Sequence, residues 1–110
     1  MRGAWIADLR DLLDAHGHIA PAAGPARRLA EHFTAIVAMV SRPEPVIPEE
    51  FRVRCRRRPG RKRCAGILEV DLDPDTEEIL WYCPLCADHG RIGNWQGTIW
   101  DLSHATGAPH

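Results

Sequence analysis

The feature that most constrains the fold of this chain is the arrangement of its four cysteines, Cys55, Cys64, Cys83 and Cys86. Cys83 and Cys86 form a Cys-x-x-Cys motif, a spacing at which both thiolates can point to one metal ion. The other two stand farther apart, but Pro59-Gly60 between them favours a chain reversal that returns both to the same ion. The pattern predicts a closed tetrahedral site of four sulfurs, which has no position open for a substrate.

The expected compartment supports this interpretation of the cysteines. No apolar run approaches the roughly 18 residues that a membrane span requires, and the first residues lack the apolar stretch of a secretory signal. We therefore expect a cytoplasmic protein, in which thiols stay reduced and four cysteines are more often metal ligands than disulfide partners. One structural zinc ion (Zn²⁺) is the expected cofactor. Four thiolates also hold iron, so a rubredoxin-like electron carrier is the lesser alternative.

Apolar periodicity predicts two helices before the cysteines. Apolar side chains recur at helical spacing in residues 5–16, and again in a segment that begins near Pro25 and ends before Arg42. Residues 1–42 are therefore predicted to form a helical hairpin. Three prolines in residues 43–48 predict an extended connector.

The following part, residues 49–102, has the pattern of strands. Apolar and polar side chains alternate in residues 67–72, residues 73–76 favour a turn, and residues 79–82 favour a returning strand. Residues 98–100 are a candidate third strand, and residues 103–110 are expected to be a flexible tail. The predicted fold class is α+β: an N-terminal helical hairpin followed by a small antiparallel zinc-ribbon sheet of two or three strands. Such a small unit buries little core, so its stability is expected to depend on the metal.

The run CAGILEVDLDPDTEEILWYCPLC resembles the zinc ribbon, a superfamily in which a β-hairpin carries metal-binding knuckles at its base. Together with CRRRPGRKRC, it is similar to small, functionally uncharacterised bacterial proteins with that signature. The resemblance covers the C-terminal half and implies a metal-stabilised interaction module without a reaction. It implies a ligand role for Cys55, Cys64, Cys83 and Cys86. Ribbon knuckles often have glycine after the second cysteine, where this chain has Ala87, and His89 is a rival ligand that we expect to stay outside the shell.

Basic side chains are concentrated around the first two cysteines. Eight of the 14 Lys and Arg residues fall within residues 52–63. In one interpretation this arginine-rich loop binds phosphates, which arginine contacts in a bidentate manner. In the other, the loop offsets the negative charge of the metal centre and of the acidic residues between 69 and 78. The candidate polyanion-binding residues are Arg54, Arg56, Arg57, Arg58, Arg61, Lys62 and Arg63.

Other features do not indicate catalysis. Trp95 and Trp100 are candidates either for base stacking and partner contact or for packing of the sheet, and His32 is interpreted as a surface residue. No nucleophile–base pair or phosphate-cradling glycine loop is recognisable, so we expect no enzyme activity. The predicted function is a non-catalytic zinc-binding adaptor that presents the arginine-rich loop to an acidic partner, either nucleic acid or a protein surface. A protein–protein interaction module that does not bind nucleic acid is the alternative.

Overall fold

Four short strands, one long helix and the 3-10 helix Leu9–Leu12 are the named elements in the part of the chain that the structure describes. The structure is a computed structural model and describes residues 5–43, 47, 52–57 and 61–103. The strands are β1 (Trp5–Asp8), β2 (Glu69–Leu72), β3 (Ile79–Tyr82) and β4 (His89–Gly93), and the helix α1 is Gly24–Ser41. The 3-10 helix Leu9–Leu12 follows β1 directly.

The strands form one mixed sheet in the order β1-β4-β3-β2. β2 pairs with β3 and β3 pairs with β4 in antiparallel orientation. β1 pairs with β4 in parallel orientation, with Trp5 opposite Gly90 and Asp8 opposite Gly93. The sheet therefore joins the first described segment of the chain to the segment that follows the Cys-x-x-Cys motif.

The predicted N-terminal helical hairpin is wrong, because residues 5–12 form β1 and the 3-10 helix. A short helix is marginal by itself, whereas β1 gains a hydrogen-bonded neighbour in β4 and allows Leu9 to become completely buried. Asp8 then accepts a hydrogen bond from the backbone N–H of Arg10 at 3.0 Å, which begins the 3-10 turn. The second predicted helix is confirmed as α1, which buries Phe33 and Ile36.

The predicted zinc-ribbon sheet is also wrong in size and in strand orientation, since the sheet has four strands and contains a parallel pair. The hairpin of β2 and β3 is confirmed. Residues 98–100 form a turn instead of a strand, because Thr98 N–H donates to the carbonyl of Trp95 and Asp101 Oδ2 accepts the Gly97 N–H at 2.9 Å. The third strand of the meander is β4, whose two glycines weaken its strand signal in the sequence.

The hydrophobic core lies between the sheet and α1, which contacts β2 and β3. Its buried side chains include Leu9, Ile36, Ile79 and Ile92, and the same cluster extends to Cys55 and Cys83. The cysteine site therefore lies at one edge of the core. Of the predicted connector, only Pro43 and Ile47 are described, and residues 104–110 of the predicted tail lie outside the described residues. In the described ranges, no helix is both long enough and apolar enough to cross a membrane.

Gly90 allows the parallel pairing of β1 with β4. A Cβ atom at this position would lie 2.7 Å from Trp5 Cβ and 2.9 Å from a ring carbon of Trp81. We expect Gly90→Ala to lower the free energy of unfolding by about 1–3 kcal/mol through overpacking, measured by urea unfolding followed by circular dichroism. Gly93→Ala is the matched control in the same strand, because its new Cβ would meet only the flexible Glu78 side chain, at 3.4 Å. Equal stability of the two variants would contradict the pairing of β1 with β4.

Candidate metal centre

Cys55 and Cys64 lie on two extended segments that pair in antiparallel orientation. The N–H of Cys55 donates to the Gly66 carbonyl at 2.9 Å, and the N–H of Cys64 donates to the Arg57 carbonyl at 2.8 Å. We call the described residues between 53 and 68 the basic hairpin. Its pairing explains how two cysteines that are separated by eight residues in the sequence still come together, since Arg57 and Cys64 are hydrogen-bonded to each other across the pair of segments. The predicted Pro59-Gly60 reversal lies outside the described residues.

Cys83 and Cys86 lie in the turn that connects β3 to β4. The N–H of Cys83 donates to the Asp88 carbonyl at 2.8 Å, and the N–H of Ala87 donates to the Cys83 carbonyl at 2.9 Å. These bonds place Ala87 at a φ of 64°, in the left-handed region that favours glycine. The N–H groups of Cys86 and Leu85 hydrogen-bond to the Cys83 sulfur. The first cysteine of the motif is thus an acceptor for two backbone donors.

The turn between β2 and β3 has the same backbone geometry as the turn between β3 and β4. Its sequence shows which kind of side chain that geometry favours at the first position. There, the N–H of Asp73 donates to the Glu78 carbonyl at 2.9 Å, and Glu77 has a φ of 62°. Asp73 Oδ1 accepts the N–H groups of Asp75 and Thr76 at 2.8 and 3.3 Å. A carboxylate therefore takes the position that the Cys83 sulfur has in the next turn. This geometry stabilises a negative charge on the side chain of the first residue of the turn. A metal-binding cysteine thiolate carries such a charge.

The four sulfur atoms converge, as the sequence predicts. All four lie within 4.8 Å of one another, and Cys55 Sγ is 3.6 Å from Cys86 Sγ. The distance between Cys64 Sγ and Cys83 Sγ is also 3.6 Å. In a tetrahedral site with metal–sulfur bonds of about 2.3 Å, neighbouring sulfurs are about 3.8 Å apart, whereas a disulfide requires about 2.05 Å. The four cysteines can therefore bind one metal ion.

His89, the rival ligand, is not part of this group. Its Nδ1 lies 3.0 Å from the Ala87 carbonyl, and the residue belongs to β4, opposite Tyr82. Backbone donors approach two further sulfurs, since the N–H of Arg57 is 3.5 Å from Cys55 Sγ and the N–H of Gly66 is 3.4 Å from Cys64 Sγ. Backbone donors of this kind orient metal-binding thiolates and stabilise their negative charge.

The surroundings of the thiols change their pKa values in opposite directions. Burial raises the pKa of Cys55 to about 12, although the Arg57 N–H opposes this change. At Cys64 the Gly66 N–H lowers the pKa, but burial and the neighbouring thiols together outweigh it and the pKa is raised. Burial also acts to raise the pKa of Cys83, yet the backbone donors and neighbouring thiols lower it to about 7. Cys83 therefore ionises more readily than Cys55 or Cys64, as its two N–H donors indicate.

The predicted basic residues differ in how far they are buried. Arg56 and Arg57 are half-buried, whereas Arg58 lies outside the described residues. The remaining predicted members are exposed: Arg54, Arg61, Lys62 and Arg63.

The two tryptophans of the prediction have hydrogen-bonding roles inside the fold. Trp95 is buried and its Nε1 donates to the Glu77 carbonyl at 2.9 Å. Trp100 is half-buried and its Nε1 donates to the Gly17 carbonyl at 3.0 Å. Their contact with a partner or a base stays a prediction.

Sequence analysis missed a cleft between α1 and the basic hairpin. Arg28 and His32, one helical turn apart on α1, line it together with Arg56 and Arg63. His32 is half-buried rather than a simple surface residue. Burial, Arg56 and Arg63 lower the pKa of His32 to about 4, so its ring is neutral near pH 7. The spacing of Arg28 and His32 was visible in the sequence, but the proximity of two arginines from the basic hairpin was not.

Comparisons with protein-family models, with curated proteins and with solved structures find no match to this chain. The resemblance to the zinc ribbon therefore stays a prediction.

Gly66 is a sensitive position for the convergence of the sulfurs. A Cβ there would overlap the Cys83 sulfur and lie 3.4 Å from Cys64 Sγ. We expect Gly66→Ala to displace a ligand and to weaken metal affinity by about 10- to 100-fold, the range found when supporting contacts of a site are removed. The measurement is a Co²⁺ titration followed by absorption, in competition with a chelator. Ala65→Ser, at the exposed neighbouring position, should bind like the unchanged protein. Unchanged affinity in Gly66→Ala would show that the sulfurs do not pack around this residue.

Proposed function

We propose that this protein is a non-catalytic zinc-binding adaptor, in which one structural zinc ion supports the basic hairpin and the hairpin binds an acidic partner. The observation that carries the proposal is the convergence of four cysteine sulfurs from two separate parts of the chain. Four thiolates at tetrahedral spacing match the ligands that zinc prefers in structural sites. All four positions around such an ion are taken by protein, which favours support of the fold over chemistry at the metal.

The positions of the cysteines fit a structural role for the ion. Cys64 precedes β2 in the chain and Cys83 follows β3, so their proximity closes the open end of this hairpin. Cys55 and Cys86 add a second connection, between the outer segment of the basic hairpin and the β3–β4 turn. One ion would thus join three chain segments at the edge of a small core. A structural zinc ion contributes on the order of 10 kcal/mol to the folding of such small units.

The charge of the basic hairpin supports an acidic partner. Residues 52–63 have eight Lys or Arg side chains and no Asp or Glu. A zinc ion with four thiolates has a net charge of about −2, and backbone N–H groups already approach three of the sulfurs. The positive charge therefore exceeds what the centre needs, and a surface with such an excess attracts polyanions. Nucleic acid is the partner that this excess favours.

The zinc site predicts a defined metal content and a strong dependence of the fold on metal. Protein purified without added metal should contain about one zinc per chain by elemental analysis, and a chelator should abolish the cooperative unfolding transition. Cys55→Ser should lose both properties. Leu85→Ala, in the Cys-x-x-Cys turn but with a side chain 68% exposed, should keep both. Metal affinity should fall as the pH is lowered, because protons compete for the thiolates. Iron in place of zinc, or a stable metal-free protein, would contradict the proposal.

The basic hairpin predicts salt-dependent binding of polyanions. Fluorescence anisotropy with a labelled oligonucleotide should show an affinity that falls steeply with salt, because bound phosphates release counterions. Replacing Arg61 and Arg63 with glutamine should reduce the slope of log affinity against log salt by about one for each lost phosphate contact. Arg10→Gln removes one positive charge outside the hairpin, where the Arg10 Nη2 donates to the Gln96 carbonyl, and should leave the slope unchanged. Absent binding at low salt would instead favour an acidic protein as the partner.

A further inference from the structure

The cleft between α1 and the basic hairpin, here called the basic cleft, has the composition of a phosphate site. It is lined by Arg28, Glu31, His32, Arg56 and Arg63 and has a volume of about 390 Å³. Its one acidic side chain, Glu31, pairs with Arg27 at 3.4 Å. Among the described residues, none forms a hydrogen bond or ion pair with the side chains of the three arginines. Three guanidinium groups around one cleft repel one another, and an anion between them removes that repulsion.

A second cavity, the aromatic pocket, adjoins the basic cleft and shares His32 and Arg56 with it. Its walls include Trp5, Phe33 and Trp81. The ring centroid of Phe33 is 6.4 Å from that of Trp5 and 6.2 Å from that of Trp81. The pocket has a volume of about 110 Å³, and a protein cavity of about 150 Å³ is known to hold benzene. The aromatic pocket is therefore large enough to hold part of one planar ring.

Two side chains that line the aromatic pocket, Asp88 and Trp81, also carry polar groups. Asp88 is 4% exposed and its Oδ1 accepts the Trp5 indole N–H at 3.2 Å. Its side-chain oxygens have lone pairs left that can accept a hydrogen bond from the exocyclic amine of a heterocycle. The indole N–H of Trp81 is buried without a hydrogen-bond partner in the described parts of the chain. Such an unsatisfied donor is uncommon in proteins and destabilising. A ring that combines acceptor nitrogens with an amine matches these walls better than a hydrocarbon ring does.

We propose that the basic cleft and the aromatic pocket together bind one nucleotide of single-stranded nucleic acid, with a phosphate between the arginines and the base among the aromatic rings. This inference rests on the proposed function, because it identifies nucleic acid as the acidic partner of the basic hairpin. A base can enter the pocket only when it is free of a duplex, so a single strand is the form that fits. A carboxylate-bearing protein surface would satisfy the arginines but would leave the aromatic pocket without a function.

The shared residues explain how the two cavities would act on one ligand. Arg56 borders both, so its guanidinium can contact the phosphate while its flat face lies beside the base. His32 also borders both cavities. Its ring centroid lies 6.0 Å from that of Trp81, and the planes of the two rings are perpendicular. Arg28 is the contribution of α1, which places positive charge on the side of the cleft opposite the hairpin. This composite of helix and hairpin does not follow from the basic tract alone.

The test compares three polyanions of matched charge: a single-stranded oligonucleotide, a duplex with half as many base pairs as that strand has nucleotides, and inorganic polyphosphate. We expect the single strand to bind about tenfold more tightly than polyphosphate, as expected for one stacked base, and to quench tryptophan fluorescence. Trp5→Leu should abolish both the preference and the quenching while salt-dependent polyphosphate binding remains. Trp100→Phe, at a tryptophan outside the pocket, should keep both. Arg28→Gln should weaken single-strand binding, whereas Arg10→Gln, which removes one charge outside both cavities, should not.

The outcomes separate this inference from the proposed function. Equal binding of all three polyanions, with the same salt dependence, would overturn the nucleotide site and leave the adaptor role in place. A single-strand preference that survives in both Trp5→Leu and Arg28→Gln would also overturn the site, because the base and phosphate would then bind elsewhere. Binding of none of the three at low salt would remove nucleic acid as the partner and the inference with it. Circular dichroism of each variant establishes that the fold is retained.

Discussion

The approach of four sulfur atoms to within 4.8 Å of one another is the constraint on which the other features of the protein depend. Two of these sulfurs belong to the basic hairpin and two belong to the β3–β4 turn. Ionised thiolates at this spacing would repel one another strongly in a partly buried site, and a divalent cation converts that repulsion into attraction. The backbone assists, because the N–H groups of Arg57 and Gly66 and those of the β3–β4 turn approach the sulfurs. A cation bound by the four sulfurs would then hold the hairpin and the sheet together.

The position of the arginines follows from that centre. Arg56 immediately follows Cys55 and Arg63 immediately precedes Cys64. Any displacement of the sulfurs would therefore move both arginines relative to α1. With the hairpin fixed, the two arginines face Arg28 and His32 across the basic cleft and border the aromatic pocket. In the proposed function, metal binding and partner binding would thus be connected through a few residues of backbone. Structural support and recognition would use neighbouring residues of the same segment.

Local patterns in the sequence were sufficient for α1, for the β2–β3 hairpin and for the set of four cysteines, because each depends on spacing within a short segment. They were not sufficient for β1, whose apolar positions suit a helix equally well and whose strand conformation depends on the distant β4. Gly90 is the residue that permits this pairing, but a glycine in a strand is also a strand-weakening signal. The basic cleft was equally hidden, because Arg28 and Arg56 come from different elements. Non-local contacts, rather than propensities, account for what the sequence did not predict.

X-ray absorption spectroscopy at the zinc edge is the most direct measurement of the central claim, because it identifies the atoms bonded to the ion and their distances. The account predicts four sulfur neighbours at about 2.3 Å and no nitrogen or oxygen in the first shell. A shell with an imidazole or water ligand, or with fewer than four sulfurs, would contradict it, since the four cysteines could not then close around a single ion.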